Sequence, residues 1–467
     1  MLAIGLLLSL IVLIAVRLHE RRRDHRLPPG PRRLPLIGNL HQAPIDFPFL
    51  TYARWTQQYG PIYSVQFGKD TIVVLGTPDA AEGVLNKRST IYSNRPRLVM
   101  AGECLTKGMH TLLRQYDPKL RLIQRMVGRA VNESASQEYR PQQDLESKQL
   151  MKELLLTGDF DTSFKRYAAS AIYSVMYGFR VTSPHDKSFV ENYEVLGNQV
   201  KALRVGHWIV DAIPILNYLP PFLAPWKRTA ERYYEMESRL YAKDLDHGLQ
   251  AREENIAQKL STSNAALETT AGQLNWAVLA ALNHPEKTRA AQAELDSVVG
   301  VQRLPGFEDR ERLPYVNAFI MEIMRWRHIT PAGVPHAAAE DDEYLGYRIP
   351  KGAIVIGNLW SINMDVSIYG DPQNFRPERW LENPKLPQHP WGFGRRICPG
   401  RHIAVNSLFI AIARMLWAFD IEPAYVDGVR QEVDDMEMTS ELTSKPKPFS
   451  VAFKPRGRRA VSLIEED

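Results

Sequence analysis

Cys398 lies in a stretch whose residue types and spacing suit a reactive or metal-binding thiol. In WGFGRRICPGRH, residues 391–402, it stands between two glycines, Gly392 and Gly394, and the pair Pro399–Gly400. The following residues, HIAVNSLFIAIARMLWAF, have helical apolar spacing, so the cysteine precedes a helix N-terminus. Backbone N–H groups and the positive end of a helix dipole favour the thiolate there. The glycines would also let the backbone approach a flat ligand closely.

The same stretch is rich in arginine. Arg395, Arg396 and Arg401 flank the cysteine. Guanidinium groups pair well with carboxylates, so the loop suits a ligand that carries acidic groups around a metal centre. The other cysteine, Cys104, is distant in sequence, and two cysteines form neither a disulfide framework nor a CxxC zinc pattern. We therefore expect Cys398 to act alone and reduced.

WGFGRRICPG resembles the haem-binding signature FxxGxRxCxG of the cytochrome P450 family, the haem-thiolate monooxygenases. Gly394, Arg396, Cys398 and Gly400 match it, and Trp391 stands in place of the usual Phe. The resemblance implies a mainly α fold with small β-sheets (α+β). It places haem b (iron protoporphyrin IX) between a distal central helix and a proximal Cys loop. Cys398 would be the axial thiolate ligand of the iron, and Arg396 would pair with a haem propionate.

The resemblance implies two further propionate contacts. His336, in VPHAAAEDDEYLGYRIPKG, resembles one of them. QYDPKLRLIQRMVG resembles a helix that carries an aromatic residue and, four residues later, an arginine. Leu120 and Gln124 stand at those two positions, so we expect Arg121 or Arg125 to replace the arginine.

AALETT, residues 265–270, resembles the distal-helix motif of the family for oxygen activation. Reduction of bound dioxygen requires two protons, which an acid beside a hydroxyl can relay. Glu268 and Thr269 are therefore the expected catalytic pair. Ala266 stands where many relatives have glycine, a small residue that leaves room for oxygen.

The sequence departs from the family just before this motif. Relatives continue an apolar helix upstream, whereas this chain has LQAREENIAQKLSTSN, in which Ser263 or Asn264 can cap a late helix start. A helix from Asn264 to Asn283 is about 30 Å long. We therefore expect the distal helix to lack its first part. In the family, that first part normally covers the substrate pocket.

MEIMR places Glu322 and Arg325 at i and i+3 on one helical face. Alone, such a pair is usually a solvated salt bridge. FRPERW, which follows in the expected order, resembles the second arginine site of the family. The resemblance predicts a structural triad of Glu322, Arg325 and Arg379 behind the haem.

Composition restricts the broad class. With 44% hydrophobic and 24% charged residues, the chain is globular. Its 58 Lys and Arg residues against 53 Asp and Glu give a net charge of +5, spread along the chain. This weak excess predicts no nucleic-acid partner.

The N-terminus predicts a membrane anchor over residues 1–18. MLAIGLLLSLIVLIAV supplies about 24 Å of helix, against about 30 Å for a hydrocarbon core. Basic residues follow this run instead of preceding it, which favours a retained single-pass anchor over a cleaved signal peptide. The expected location is the endoplasmic reticulum membrane with a cytosolic catalytic domain. Residues 19–40 are then a basic, Pro-rich hinge, and residues 41–467 form one haem-binding monooxygenase domain.

Local patterns predict the elements of this domain. IYSVQFG and TIVVLG read as a β-hairpin, and the chain from Pro78 to about Met324 is mostly helical. Strand patterns return in YLGYRIP, AIVIG and FSVAF. MTSELTSKPKPF resembles a C-terminal loop that enters the substrate pocket, so residues 440–443 are the expected substrate contacts.

The implied reaction inserts one atom of O2 into a hydrophobic small-molecule substrate. The implied electron donor is an NADPH-cytochrome reductase, so NADPH acts indirectly. Many fungal relatives act in secondary metabolism. Two alternatives stay open: a haem-binding protein that is impaired or inactive because its distal helix is shortened, and a haem-thiolate isomerase or dehydratase, which would not need Glu268 and Thr269.

Overall fold

The computed structural model describes most of the chain, with short gaps. The described residues are 26–35, 37–204, 206–250, 266–426 and 428–466. The predicted anchor, residues 1–18, and the predicted helix cap at Ser263 or Asn264 lie outside them. The prediction of a shortened distal helix therefore stays a prediction.

Helices make up most of the described structure, as the sequence predicts. In chain order they are α1 Pro48–Tyr59, α2 Pro78–Ala81, α3 Pro118–Val131, α4 Glu133–Glu138, α5 Arg140–Leu156, α6 Phe160–Tyr177, α7 Lys187–Leu203, α8 Ile209–Ala212, α9 Pro225–Gln250, α10 Ala266–Asn283, α11 Pro285–Val298, α12 Pro314–Trp326, α13 Leu359–Asn363, α14 Val366–Tyr369, α15 Glu378–Glu382, α16 Arg401–Ala418 and α17 Arg458–Glu466. Short 3₁₀ turns lie at Leu40–Gln42, Pro214–Tyr218, Phe307–Arg312 and Gly394–Arg396, and π turns at Glu82–Asn86 and Val99–Leu105.

The strands are short. They are β1 Ile62–Phe67, β2 Asp70–Leu75, β3 His336–Ala337, β4 Asp342–Tyr344, β5 Tyr347–Ile349, β6 Ile354–Gly357, β7 Phe419–Pro423, β8 Tyr425–Val426, β9 Val429–Arg430 and β10 Val451–Pro455. The predicted hairpin is confirmed by the antiparallel pairing of β1 with β2, in which Ile62 faces Leu75. The strands predicted around YLGYRIP, AIVIG and FSVAF are present as β5, β6 and β10. The small sheets beside many helices confirm the mainly α, α+β fold class.

The chain divides into two compact units that interleave along the sequence. The first unit takes the described residues up to Pro96, residues 334–362 and residues 393–395. Its main sheet has the order β1-β2-β6-β3, in which β6 runs parallel to β2 and antiparallel to β3. The prediction of one monooxygenase domain over residues 41–467 stays a prediction.

The described part of the predicted hinge is bound to β1 in this first unit. The Ser64 hydroxyl donates to the Pro28 carbonyl at 2.6 Å, and the Ser64 N–H donates to the Pro29 carbonyl at 2.7 Å. Gly30 lies so close to this strand that an added Cβ would stand 2.0 Å from the Ser64 carbonyl oxygen. Asn39 is fully buried and accepts the Gln66 N–H at 2.9 Å. The Pro-rich segment is therefore part of the packed sheet edge.

The second unit is built around two buried helices, α10 and α16. Helix α10 packs mainly on α6, while α16 packs on α5 and also contacts α10. Leu274, Ala277 and Val278 of α10 are fully buried, and so are Ile410 and Leu416 of α16. Both helices are apolar around most of their circumference, which is typical of helices enclosed by others.

The three predicted triad residues meet in the second unit, where all three side chains are buried. Arg325 binds the Glu322 carboxylate through Nη2 at 2.7 Å and Nε at 2.9 Å. Arg379 Nε donates to the same carboxylate at 3.1 Å. The Trp380 indole N–H and the Arg376 backbone N–H complete its shell at 3.0 and 2.9 Å.

One carboxylate thus faces two guanidinium groups, and backbone carbonyls take the remaining donors. Arg325 donates to the carbonyl oxygens of Asn363 and Pro372, each at 2.9 Å. Arg379 donates to the Asp371 carbonyl at 2.9 Å. These bonds tie α12 to the irregular segment that leads toward residue 391.

The described residues contain no helix that is long and apolar enough to cross a membrane. This finding corrects the prediction of a single-pass anchor at the endoplasmic reticulum, which is not supported. The physical difficulty that the sequence presents is length, because the run of sixteen residues from Met1 to Val16 would supply only about 24 Å of helix against about 30 Å of hydrocarbon.

Replacing Glu322 tests the buried triad. We expect Glu322→Gln to lower the free energy of unfolding by about 3–5 kcal/mol, because it leaves two buried guanidinium groups without an anion. Denaturant unfolding followed by circular dichroism measures this change.

The matched control is Glu382→Gln on the neighbouring α15. Glu382 pairs with Arg376 at 2.8 Å, and both side chains are about half exposed. An exposed ion pair contributes roughly 0–1 kcal/mol. Equal losses in the two variants would show that the triad does not stabilise the fold.

Candidate active site

The Cys398 loop is closed by the chain itself. The Cys398 N–H donates to the Trp391 carbonyl at 2.9 Å. Gly392 turns the backbone with φ +76°, a conformation that favours glycine. Helix α16 begins at Arg401 with Gly400 as its N-cap. The structure therefore places the cysteine just before a helix N-terminus, as the sequence predicts.

Gly394 is fixed by sterics within the first unit. Its φ is +57°, and an added Cβ would lie 2.3 Å from the Leu85 carbonyl oxygen and 2.7 Å from Ser89 Cβ. Its N–H donates to Asn86 Oδ1 at 2.5 Å. The backbone thus explains this glycine without reference to a ligand.

Gly400 is different. Its φ is −81°, and an added Cβ would meet no atom within 4 Å. Neither strain nor crowding within the protein requires glycine beside Cys398 at this position. A flat group bound against the loop would explain the glycine at position 400, because any larger side chain there would collide with that group.

The thiol of Cys398 is half-buried. Burial raises its pKa, while the Gly400 N–H and the positive charge of Arg401 lower it by less. The thiolate expected from the sequence is thus not favoured by the chain alone, since loss of solvation exceeds the effect of the helix N-terminus. A metal ion held by Cys398 would reverse this balance, because coordination favours the deprotonated thiol.

A single sulfur donor suits a metal that brings its other ligands with it, as the iron of a porphyrin does. Among the described residues, no group of three or more His, Cys, Asp or Glu side chains could hold a metal ion. The donor set and the open side of Gly400 therefore fit a haem held by Cys398.

Arg396 lies on the same loop and is partly buried. Its guanidinium donates to the Thr111 carbonyl at 3.1 Å and to the Arg114 carbonyl. Burial lowers its pKa to about 10, while Tyr116 and Asp117 favour the charged form. A carboxylate of a bound group would stabilise the guanidinium charge further. The position of Arg396 is therefore compatible with a propionate contact.

Arg121 and Arg125 are both exposed on α3. Arg121 lies over the Tyr116 ring, 5.8 Å from its centroid. Leu120 is buried and Gln124 half-buried. The exposure of both arginines gives no support to the prediction that one of them contacts a propionate, and it stays a prediction.

His336 lies in β3 of the first unit and is buried. Its Nδ1 donates to the Tyr92 carbonyl at 2.6 Å, which fixes the ring orientation. Arg95, also buried, donates to the carbonyls of Val334 and Pro335 at 3.0 and 2.6 Å. No sequence pattern predicted that Arg95 is buried, because a single arginine between loop residues does not reveal its burial.

Glu268 and Thr269 lie in the first described turn of α10, and both are half-buried. Burial raises the pKa of the Glu268 carboxyl. The Thr443 hydroxyl donates to this carboxyl and, with Lys445, lowers the pKa by less. The structure therefore joins two regions predicted separately, the acid–hydroxyl pair and the C-terminal loop at residues 440–443.

Comparison with known proteins agrees with this arrangement. The Cytochrome P450 family model matches residues 28–236 and 223–453. Cytochrome P450 monooxygenase FrzL of a Cladobotryum species is 40% identical, over 96% of this chain and 91% of the relative. Cytochrome P450 monooxygenase aneD of Aspergillus aculeatus is 41% identical over 93% of this chain and 89% of the relative. Cytochrome P450 monooxygenase 253 of Postia placenta is 38% identical over 97% and 92%.

These matches span both compact units and include the Cys398 loop, α10 and the triad. Their extent and identity exceed what a shared local motif would produce. The family resemblance and the fold class predicted from the sequence are thereby confirmed. The chain belongs to the cytochrome P450 family of haem-thiolate monooxygenases.

Proposed function

We propose that this monooxygenase inserts one atom of O2 into a hydrophobic small molecule of fungal secondary metabolism. We further propose that an NADPH-cytochrome reductase supplies the electrons one at a time. The similarity to fungal monooxygenases supports the setting. The observation that carries the reaction type is the half-buried Glu268 carboxyl beside Thr269 at the start of α10.

Cys398 is the proposed axial ligand, and Arg396 and His336 are the proposed propionate contacts. Trp391, Gly394 and Gly400 shape the loop. When bound, haem supplies the iron at which O2 is reduced. The described chain supplies the sulfur donor, the positive charge of Arg396 and the open backbone beside Gly400.

Glu268 and Thr269 supply protons in this proposal. One oxygen atom of O2 is inserted into the substrate. The other leaves as water, and its reduction consumes two protons and two electrons. Because burial raises its pKa, the Glu268 carboxyl retains a proton at a higher pH than an exposed glutamate does. The Thr269 hydroxyl both accepts and donates, so it can pass that proton onward.

A haem-binding protein with impaired turnover is the second candidate. It is favoured by α3, which carries Leu120 and Gln124 at the family's aromatic and arginine positions and exposes Arg121 and Arg125. The family model also matches in two pieces that overlap at residues 223–236, shortly before the predicted shortened segment. An isomerase or dehydratase is disfavoured, because it would not need Glu268 and Thr269.

Spectra and turnover separate these candidates. A monooxygenase should give the thiolate-type red-shifted Soret band in the reduced carbon monoxide complex. Its substrates should also shift the ferric spectrum and accelerate NADPH use with reductase. The first property without the other two, over a broad panel of hydrophobic compounds, would favour the impaired protein.

Cys398→Ala is expected to abolish the thiolate-type Soret band, because no other donor replaces the sulfur. The reduced carbon monoxide difference spectrum measures this loss. Cys104→Ala is the matched control, since Cys104 is also half-buried and its thiol contacts Asn217 Oδ1 at 3.3 Å. Retention of the band in Cys398→Ala would contradict the assignment.

Arg396→Gln is expected to accelerate haem loss roughly tenfold or more, since a charged hydrogen bond contributes about 1.5–3 kcal/mol. Transfer of haem to apomyoglobin measures the rate. Arg395→Gln, at an exposed neighbouring position, is the control. Equal rates in the two variants would contradict a propionate contact of Arg396.

Thr269→Ala is expected to uncouple NADPH consumption from product, lowering product per NADPH several-fold while consumption continues. Parallel assays of NADPH, peroxide and product measure the coupling. Thr270→Ala changes the adjacent, also half-buried threonine and serves as the control. Normal coupling in Thr269→Ala would show that the proton relay lies elsewhere.

A further inference from the structure

Residues 439–445 form a closed turn, termed here the C-terminal turn. The Thr439 N–H donates to the Lys445 carbonyl at 2.9 Å, and the Lys445 N–H donates to Thr439 Oγ1 at 3.2 Å. The Ser444 hydroxyl crosses the turn to the Thr439 carbonyl at 2.9 Å. These internal bonds give the turn a defined shape.

The C-terminal turn is hydrogen-bonded to the middle of the distal helix, α10. The indole N–H of Trp276, on α10, donates to the Ser444 carbonyl at 2.9 Å. The Ser444 N–H donates to the Ile329 carbonyl at 2.7 Å. Trp276 and Ser444 are both almost fully buried, so this attachment is shielded from water.

One face of α10 receives the turn. Glu268, Gly272 and Trp276 are spaced by four residues and therefore lie along the same face. An added Cβ at Gly272 would stand 2.4 Å from Ile329 Cδ1 and 3.8 Å from Lys445 Cβ. Glycine at this position thus permits close packing between the fastening point at Trp276 and the carboxyl at Glu268.

Three side chains of the turn act on that carboxyl. The Thr443 hydroxyl donates to it, and the positive charge of Lys445 favours its ionised form. Glu441 opposes ionisation by like-charge repulsion. The turn therefore supplies both a directional hydrogen bond and charges of opposite sign.

Among the described residues, two further helices contribute charged or polar groups near Glu268. Lys165 of α6 favours its charged form, and the Tyr193 hydroxyl of α7 is close enough to interact with its charge. Asp161 of α6 lies 3.9 Å from the Lys445 ammonium and 2.6 Å from the Lys165 ammonium. Asp161 therefore holds both lysines near the carboxyl.

We propose that the C-terminal turn is a positioning element for the Glu268 carboxyl: the Ser444–Trp276 hydrogen bond fixes the turn against the face of α10 that carries residues 268, 272 and 276, and the turn presents Thr443, Lys445 and Glu441 to that carboxyl. This inference rests on the proposed function, because it assigns the turn to the proton-holding group. It adds Lys445, with Asp161 as its anchor, to the residues on which proton supply depends.

An infrared titration of the haem-loaded chain tests the charges directly. The Glu268 carboxyl band is identified by its loss in Glu268→Gln, and its intensity is followed against pH. Lys445→Gln should raise the titration midpoint by about one pH unit, because a favourable charge is removed. Glu441→Gln should lower the midpoint by a few tenths, since an exposed charge is screened.

Lys447→Gln is the matched control for Lys445→Gln. Lys447 lies two residues further along and pairs with Glu437 at 3.9 Å, with both side chains more than half exposed. Its midpoint should equal that of the unmodified chain. Equal midpoints in Lys445→Gln and Lys447→Gln would overturn the role of Lys445.

The hydrogen bond has its own test. Thr443→Val should raise the midpoint, since a donor to the ionised carboxyl is lost, and Thr443→Ser should restore it. If Thr443 had only a structural role, the serine hydroxyl of Thr443→Ser would not restore the titration midpoint of Glu268. Thr443→Ser behaving like Thr443→Val would overturn the orienting role.

Product per NADPH, measured in the same variants, separates this inference from the proposed function. Normal coupling in Glu268→Gln, with midpoints that move as expected, would end the proton-relay proposal and leave the positioning role standing. Uncoupling in Glu268→Gln with unmoved midpoints would overturn the positioning role and leave the relay standing.

Discussion

The buried carboxylate of Glu322 is the interaction on which the second unit most depends. It lies between the guanidinium groups of Arg325 and Arg379, and the backbone carbonyls around it take their other donors. A charge in such a place is costly unless every partner is present. The segment after α13 is therefore held against the triad at Asn363, Asp371 and Pro372 before the chain reaches the Cys398 loop.

Local pattern was sufficient for much of this architecture. Period-two alternation identified the β1–β2 hairpin, and the i, i+3 spacing put Glu322 and Arg325 on one face of α12. Such signals depend on neighbours within a few residues, which a sequence displays directly. The final helix α17 was missed, although its sequence RRAVSLIEE is amphipathic, because it is short and lies beyond the last motif. Strand β7 was missed for a related reason, since Phe419 continues the apolar run of α16.

Burial and long-range contact could not be predicted in the same way. The helix N-terminus next to Cys398 indicates a thiolate, yet loss of solvation in the folded chain raises the thiol pKa instead. Arg121 and Arg125 are suitable in type and near the right position, but α3 exposes both. The bond from Thr443 to Glu268 joins residues 175 positions apart by their numbering. Nothing in either local stretch encodes that meeting, because tertiary packing decides it.

The attachment of the Pro-rich segment to β1 bears on how the protein can be shortened for crystallisation. Ser64 and Gln66 use the carbonyl of Pro28 and the side chain of Asn39 as hydrogen-bond partners, and Gly30 fits against the strand without space for a methyl group. A recombinant version that started at residue 41 would strip this edge and present β1 to solvent as a surface able to recruit other chains. Trimming that stops before Pro28 leaves the edge covered.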